Sequence, residues 1–513
     1  MKLNQWANMT IAGVLLALSS PASEGADAGA EAEIEALRQQ VQELSRKVQA
    51  LEQERVKEQP AGAAADEKIQ ELDQQVRILA RQRALDQESA AALAKTQPRL
   101  SVGANGASFS SADSNFVVAL HGLIQADSRT FKENNHVPGT DSILLRRARP
   151  ILSGTVFRDF DFLFVPEFGN GTPGAASSAS TPSIYDACVN YRFSPAFQIQ
   201  AGKFKGPVGL EYLQSDTYTF FNERSLVTDL MPGRDVGFAL RGELAGGVIS
   251  YTVGIFNGVG DARNTSNTGF QDNREFDGRL FLQPFKQTGI KPLQNLGFGV
   301  GGSWGQASVT NTLGLPGSTG GASSSAGYFT DGQQQFFAYT NGVVARGTHW
   351  RLSPQASYYY GPFGLIAEYA ISDQEVQRTA GATTGRADLQ HTAWEISGGW
   401  VLTGEDATFT GVTPKHPFDP RNGQWGALQL VGRYAELDID NAVFPFYANP
   451  ASASEARSWS VGLNWYLNRN VRVNASYSRT DFSGGASGSP GSAPGSVSSH
   501  PEDVFFTRLQ IAF

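Results

Sequence analysis

The spacing of apolar positions changes period once along the chain. In residues 31–58, Ile34, Leu37, Val41, Leu44, Val48 and Leu51 recur three and four apart, along one seam of a helix. Gln59-Pro60-Ala61-Gly62 interrupts the seam, and Ile69, Leu72, Val76 and Leu79 resume it. So narrow a stripe predicts an α-helical coiled coil over 30–95, interrupted near 59–62, in preference to a single amphipathic helix packed on another surface. β-Branched residues at a with Leu at d favour two strands, a preference that a larger assembly can override. A linker is expected over 96–114.

From about Asn115 the period is two. In the terminal VFFTRLQIAF, Phe505, Thr507, Leu509, Ile511 and Phe513 share a face opposite Phe506, Arg508, Gln510 and Ala512. FDFLFVPEF, SWSVGLNWYL and WEISGGWVL alternate in the same way. A large soluble β-sandwich and a transmembrane barrel both alternate. The barrel is favoured because the apolar faces are rich in aromatics near strand ends, the opposite faces carry charge and amides, and the last strand ends on an aromatic residue. The predicted strands are 116–129, 142–156, 160–168, 184–193, 197–204, 236–244, 248–256, 274–284, 296–306, 349–360, 363–373, 389–402, 425–437, 457–467, 471–482 and 503–513. The fold class is therefore a 16-stranded antiparallel transmembrane β-barrel over 115–513, preceded by a periplasmic coiled coil. Turns assigned to the periplasm are mostly short, whereas 307–348 and 483–502 are long, Gly- and Ser-rich and assigned outside. Residues 403–424 are long yet fall on the periplasmic side, so either that loop is real or one strand is miscounted.

Composition adds the compartment. Lys2 followed by IAGVLLALSS is an export signal of residues 1–22, with Ser20-Pro21-Ala22 and Ala26-Asp27-Ala28 as alternative cleavage sites. That apolar run is too short to span a bilayer, and no later stretch offers 18 uncharged apolar residues. The single Cys188 excludes a disulfide framework, and a net charge of −8 gives no reason to expect nucleic acid as a partner. No G-x-S-x-G, H-E-x-x-H or carboxylate-rich metal cluster is present, so no catalytic residue, metal or cofactor is expected.

Lipid-facing parity sends Arg129, Arg147, Arg149, Arg241, Arg279, Arg351, Arg433, Arg472 and Arg508 into the lumen. A cation facing lipid at mid-membrane would cost about 2–4 kcal/mol, while one in a water-filled channel keeps its hydration. Partnership with Glu243, Glu368 and Glu395 would make these arginines plain solvated lumen residues. Arg146, in SILLRRARPILSG, shares parity with Leu144 and Leu152 and would face lipid unless it lies at the headgroups or at a bulge. Lys203 and Lys205 share parity with Ile199 and Ala201, but lie where the strand ends. The loop that follows, 205–235, carries Tyr212, Leu213, Tyr218, Phe220, Phe221, Leu226 and Leu230. Its one convenient place to bury them is the barrel interior, where it narrows the pore.

The stretches LLRRARPILSGTVFRDFDF, GKFKGPVGLEYLQS, ERSLVTDL, GPFGLIAEY, WGALQLVGRYAELDID and SVGLNWYLNRNVRV resemble the phosphate- and polyphosphate-selective porins, porins O and P. The resemblance implies a homotrimeric porin of the Gram-negative outer membrane, bedded in its lipid. It also implies an inward third loop, small anions such as phosphate as solutes, and the adjacent Arg146 and Arg147 at the anion site. Phe513 resembles the sorting signal read by the barrel-assembly machinery. One departure is plain. The phosphate-selective members place lysines after the GLE motif, whereas Gly209-Leu210-Glu211 is followed here by Tyr212, Asp216 and Thr217 without a lysine, and the loop is net acidic. The expected anion-binding and pore-lining set is Arg129, Arg146, Arg147, Arg149, Arg224, Arg241 and Arg433, with Glu211, Tyr212, Asp216 and Thr217 on the constriction loop. The alternative is a weakly selective porin whose coiled coil tethers the barrel to the envelope.

Overall fold

The computed structural model describes residues 39, 42–51, 53, 62–132, 141–169, 182–265, 273–308, 314–316, 326–485 and 501–513. The export signal and the seam residues Ile34, Leu37 and Val41 lie outside the described residues. Contacts divide the chain into two units, Met1–Gln97 and Pro98–Phe513. In the first, residues 42–51 are helical and α1 spans Gly62–Thr96. Leu44, Val48, Leu51, Ile69, Leu72, Val76 and Leu79, all seam positions, are half-buried while their neighbours are mostly exposed. Lys47, Ala50 and Leu51 line one cavity with Lys68, Glu71 and Leu72, so the two helical segments lie side by side. Among the described residues no helix is long and apolar enough to cross a membrane.

The second unit is an 18-stranded sheet. Sixteen of the strands close the barrel. The first nine are β3 (Val117–Phe131), β4 (Ser142–Val156), β5 (Phe160–Glu167), β6 (Ser183–Ser194), β7 (Phe197–Lys205), β8 (Arg234–Leu244), β9 (Ile249–Phe256), β10 (Glu275–Leu282) and β11 (Gly297–Ala307). The rest are β14 (Val343–Tyr360), β15 (Phe363–Ala380), β16 (Thr383–Val401), β17 (Ala427–Asp438), β18 (Glu455–Tyr466), β19 (Val471–Ser483) and β20 (Glu502–Ala512). Every neighbouring pair is antiparallel, and β20 closes on β3 from Val504↔Phe131 to Ala512↔Leu123. The alternation read from the sequence holds. Trp394, Trp400, Trp459, Val461, Leu463, Phe505 and Leu509 are exposed on the outer wall, the apolar face the sequence assigned to lipid. At the seam, the Phe513 amide and carbonyl exchange hydrogen bonds with Gly122 (3.0 and 2.8 Å), and the Phe513 ring lies where any larger residue at 122 would project.

Three regions differ from the sequence reading. The remaining two strands, β1 (Arg99–Gly103) and β2 (Gly106–Ser110), form a hairpin inside the stretch read as a linker. β2 pairs with Val117–Leu120 of β3, below the point that β20 reaches, so the hairpin satisfies backbone groups left over there. The 403–424 loop is a real connection between β16 and β17; Ala407 and Val412 are buried against Leu210 and Phe220. The third concerns 307–348, read as an external Gly/Ser loop. Its described part folds into the barrel as the hairpin β12 (Gly327–Phe329) and β13 (Gln335–Ala338). Tyr328, Phe336, Phe337 and Tyr339 are fully buried there. So many aromatics find cover only inside, and they outweigh the flexible composition around them.

Candidate functional site: a constriction of arginines and loop carboxylates

The site begins with an irregularity in β4. Gln125 pairs with Arg147 and Ala126 with Leu145, so Arg146 is the extra residue of a β-bulge. The bulge turns its side chain away from lipid, and two adjacent arginines enter the lumen together. Arg146 meets Glu223 of the inward loop with both prongs, Nε to Oε1 at 2.7 Å and Nη2 to Oε2 at 2.9 Å. The irregularity that the sequence demands of this strand is therefore present.

The connection between β7 and β8 lies in the lumen, as its aromatics predicted. Lys205 Nζ at its start donates to the carbonyls of Tyr212, Leu213 and Gln214. The short helix α2 (Leu210–Leu213) follows, with the amides of Leu210 and Glu211 donating to Glu368 of β15. Glu211 accepts from the Ser225 amide and hydroxyl and lies 3.7 Å from Arg433 Nη1. Phe220 and Phe221 pack on β15–β18 residues of the wall.

Two loop carboxylates organise the wall arginines. Glu223 accepts from Arg129 Nη2 (2.8 Å) as well as Arg146, with Arg508 Nη2 at 3.7 Å. Arg508 also forks onto Asp127 at 2.6 and 2.7 Å. Asp216 is gripped by Arg149, by Arg147 Nε at 3.3 Å and by Arg224, and accepts from the Tyr185 hydroxyl. Burial alone would raise both carboxyls. The charges of Arg147, Arg224 and Arg149 outweigh it at Asp216, and Arg146 followed by Arg129 outweighs it at Glu223; both stay well below the usual carboxylate range. The cations outnumber the anions: Arg129, Arg146, Arg147, Arg149, Arg224 and Arg508 surround Asp127, Glu167, Asp216 and Glu223. Arg129 Nη1 and Arg508 Nη1 donate to no acceptor among the described residues.

Several expected residues take other places. Arg433 pairs with Asp331 of the second inward loop (2.8 Å), and Asp331 also accepts from Ser458, Ser460 and Ser478. Arg224 donates to the Glu211 and Gln214 carbonyls and lies over Tyr212. Thr217 contributes its carbonyl to Gln510. Arg241 is not in the cluster: it is exposed near a turn, and among the described residues it hydrogen-bonds Gln200 alone. Of the three glutamates offered as partners for the lumen arginines, Glu395 lies near Arg433 of the neighbouring strand, while Glu368 serves α2 and lies opposite Gln355, the hydrogen-bond partner of Arg279. Lys203 and Lys205 avoid lipid beyond a left-handed twist at Gly202 (φ +120°), Lys203 by donating to the Thr265 carbonyl. Sequence reasoning missed Tyr185, whose ring is sandwiched between Arg149 (3.7 Å) and Arg234 (3.3 Å). Its alternation pointed outward, but the pairing slips between Val165 and Pro166 and leaves Tyr185 as the extra residue. Glu436, Asp438 and Glu455 gather within 4.8 Å on the outer rim, where Arg457 neutralises Glu436 and Glu455.

A family profile for the phosphate-selective porins O and P matches residues 118–490. The chain belongs to this family. It is a porin of the outer membrane, a channel and not an enzyme. Porin O of Pseudomonas aeruginosa is 22% identical over 434 residues, 80% of this chain and 91% of that relative. Among solved structures, the outer membrane channel DcaP of Acinetobacter baumannii matches with a TM-score of 0.48 and 9% identity, over 78% of this chain and 98% of that one. The anion-selective porin from Comamonas acidovorans matches with 0.47 and 13%, over 78% and 100%.

Proposed function

We propose that this porin is a passive, anion-preferring diffusion channel whose selectivity resides at the bulged Arg146-Arg147 pair and its neighbours. The observation that carries this reading is the excess of arginine over carboxylate at the constriction, where the Arg146 and Arg224 guanidinium groups stay partly exposed. In a narrow, partly desolvated passage such donors offer an anion a replacement for its hydration shell and confront a cation with like charge. Phosphate is the default solute that family membership supplies. The absence of lysine after the GLE motif and the engagement of Asp216 and Glu223 with the arginines favour weak, fast exchange over tight phosphate capture, since each carboxylate competes with the solute for the same donors. The reading takes the channel as a homotrimer inserted by the barrel-assembly machinery through Phe513, with the N-terminal helical unit in the periplasm. The test is a reversal potential in a KCl gradient across a planar bilayer. Chloride is expected to dominate, and Arg147→Gln to reduce that dominance several-fold. Potassium preference in the unmodified channel overturns the proposal.

A further inference from the structure

A second lumen feature lies on the periplasmic side of the constriction and is built differently. Between α2, the 403–424 loop and the walls of β10 and β14 lies a cavity of about 340 Å³, at the small end of ligand pockets. Leu210, Leu213, Phe281, Ala407 and Phe409 make most of its surface apolar. Gln283, Asn295, Ser357 and Thr408 complete the lining, and two polar groups stand out for their spare hydrogen-bonding capacity. Arg279 spends Nε on Gln355 (2.8 Å) and lays its guanidinium over the Phe281 ring at 4.6 Å. Among the described residues its Nη groups meet no acceptor and no carboxylate lies within ion-pair distance, Glu368 standing beyond Gln355 on the next strand. Tyr359, only 5% exposed, also lines the cavity, and its hydroxyl has no hydrogen-bond partner among the described residues. A buried hydroxyl without a partner is rare in a folded protein, because desolvating it costs about 1–3 kcal/mol.

We infer that this cavity is a binding site for a small organic carboxylate with an apolar or aromatic body. The carboxylate would accept from the two free Nη groups of Arg279, whose planar fork matches it, and from the Tyr359 hydroxyl. The body would lie against Phe281, Phe409 and the α2 leucines. Inorganic phosphate fits poorly: Arg279 is the single cation of the lining, and the mostly apolar wall does not replace the hydration of a doubly charged ion. The two anion positions of the lumen thus differ in chemistry, a multi-arginine girdle at the constriction and a mono-cationic, aromatic pocket beyond it.

The inference rests on the barrel fold alone and not on anion selectivity, so its test uses binding rather than current. Benzoate is titrated calorimetrically into the detergent-solubilised full chain, with acetate and inorganic phosphate as comparisons. Benzoate is expected to bind saturably and at least ten-fold tighter than acetate. Arg279→Gln should weaken benzoate ten-fold or more and Tyr359→Phe about three-fold or more, each in protein with unchanged heat-modifiable gel migration. Absence of saturable benzoate binding to the unmodified protein, or benzoate affinity unchanged in Arg279→Gln, overturns the inference. So does phosphate binding that falls in parallel with benzoate in Arg279→Gln, because the site would then read charge alone.

Discussion

Arg146 and Glu223 form a two-pronged ion pair, 2.7 and 2.9 Å, between a bulge in the second barrel strand and the loop folded into the lumen. Strict alternation would put Arg146 in lipid; the extra residue puts it beside Arg147 instead. Glu223 also holds Arg129 and approaches Arg508, so one loop carboxylate restrains arginines from three strands. Loop position and pore charge are thereby set by the same contact.

Removing that carboxylate charge should increase anion preference. Two unit charges about 4 Å apart interact by about 1 kcal/mol in water and about 4 kcal/mol at an effective dielectric of 20. Glu223→Gln frees Arg146 and Arg129 for the permeating ion, and the chloride-to-potassium permeability ratio is expected to rise at least several-fold. Reversal potentials of the variant and the unmodified channel measure this. An unchanged ratio would mean that these arginines lie off the ion path.

Acid should have little effect on selectivity in the range where ordinary carboxylates titrate. Asp216 and Glu223 are held well below their usual values of 3.8 and 4.5 by the surrounding arginines, against the opposing effect of burial. A carboxyl with a lowered folded pKa contributes stability that is present above its unfolded value and lost only as the pH falls through the folded one. Both therefore stay ionised at pH 4, and permeability ratios at pH 7 and pH 4 should agree. A rise in anion preference with a midpoint near pH 4 would show that the two groups are solvated and loosely paired.

The second inward loop should be releasable through Asp331. Its carboxylate accepts from Ser458, Ser460, Ser478 and Arg433, while the aromatic residues around it supply apolar burial. Asp331→Ala strands those donors, each charged hydrogen bond being worth about 1.5–3 kcal/mol. Larger single-channel conductance with more flicker is expected. Unaltered conductance would show that the buried aromatics and the bonds of Thr330 and Gly332 to Glu502 hold the loop without Asp331.

The barrel was legible because lipid imposes one rule on every strand: apolar residues at alternate positions, repeated around the wall. Where alternation persists, as in Ser458–Trp465 or Phe505–Phe513, face and partner follow from the sequence. The site lies where that rule is locally broken. Arg146 and Tyr185 enter the lumen through extra residues in their strands, which a period of two reads as lipid-facing. Loop destinations were half legible: the aromatic content of 205–235 placed it inside, while Gly and Ser around Tyr328 and Phe336 masked the same signal in 307–348. Pairings such as Asp331 with Arg433 depend on a loop meeting a strand about a hundred residues away, and no local pattern encodes them.

Gly202 is where a single added methyl should disturb the constriction from outside it. Its φ of +120° lies in a region that residues with a side chain rarely enter, and a Cβ there would sit 2.2 Å from the Ala187 carbonyl oxygen of the neighbouring strand. Gly202→Ala must therefore shift backbone in β6 or β7, a strain of roughly 1–3 kcal/mol. Lys205, three residues on, anchors the inward loop through three carbonyls, so the shift loosens α2 and with it Glu211. The variant is expected to show a lower thermal midpoint in heat-modifiable gel migration and, once inserted, a broadened conductance distribution. Gly361→Ala is the control. It also has a positive φ, +51°, but a Cβ there meets nothing within 4 Å, so only the intrinsic left-handed penalty of about 1–2 kcal/mol applies. If both variants lower the midpoint and neither broadens conductance, Gly202 serves the barrel wall and not the position of the loop.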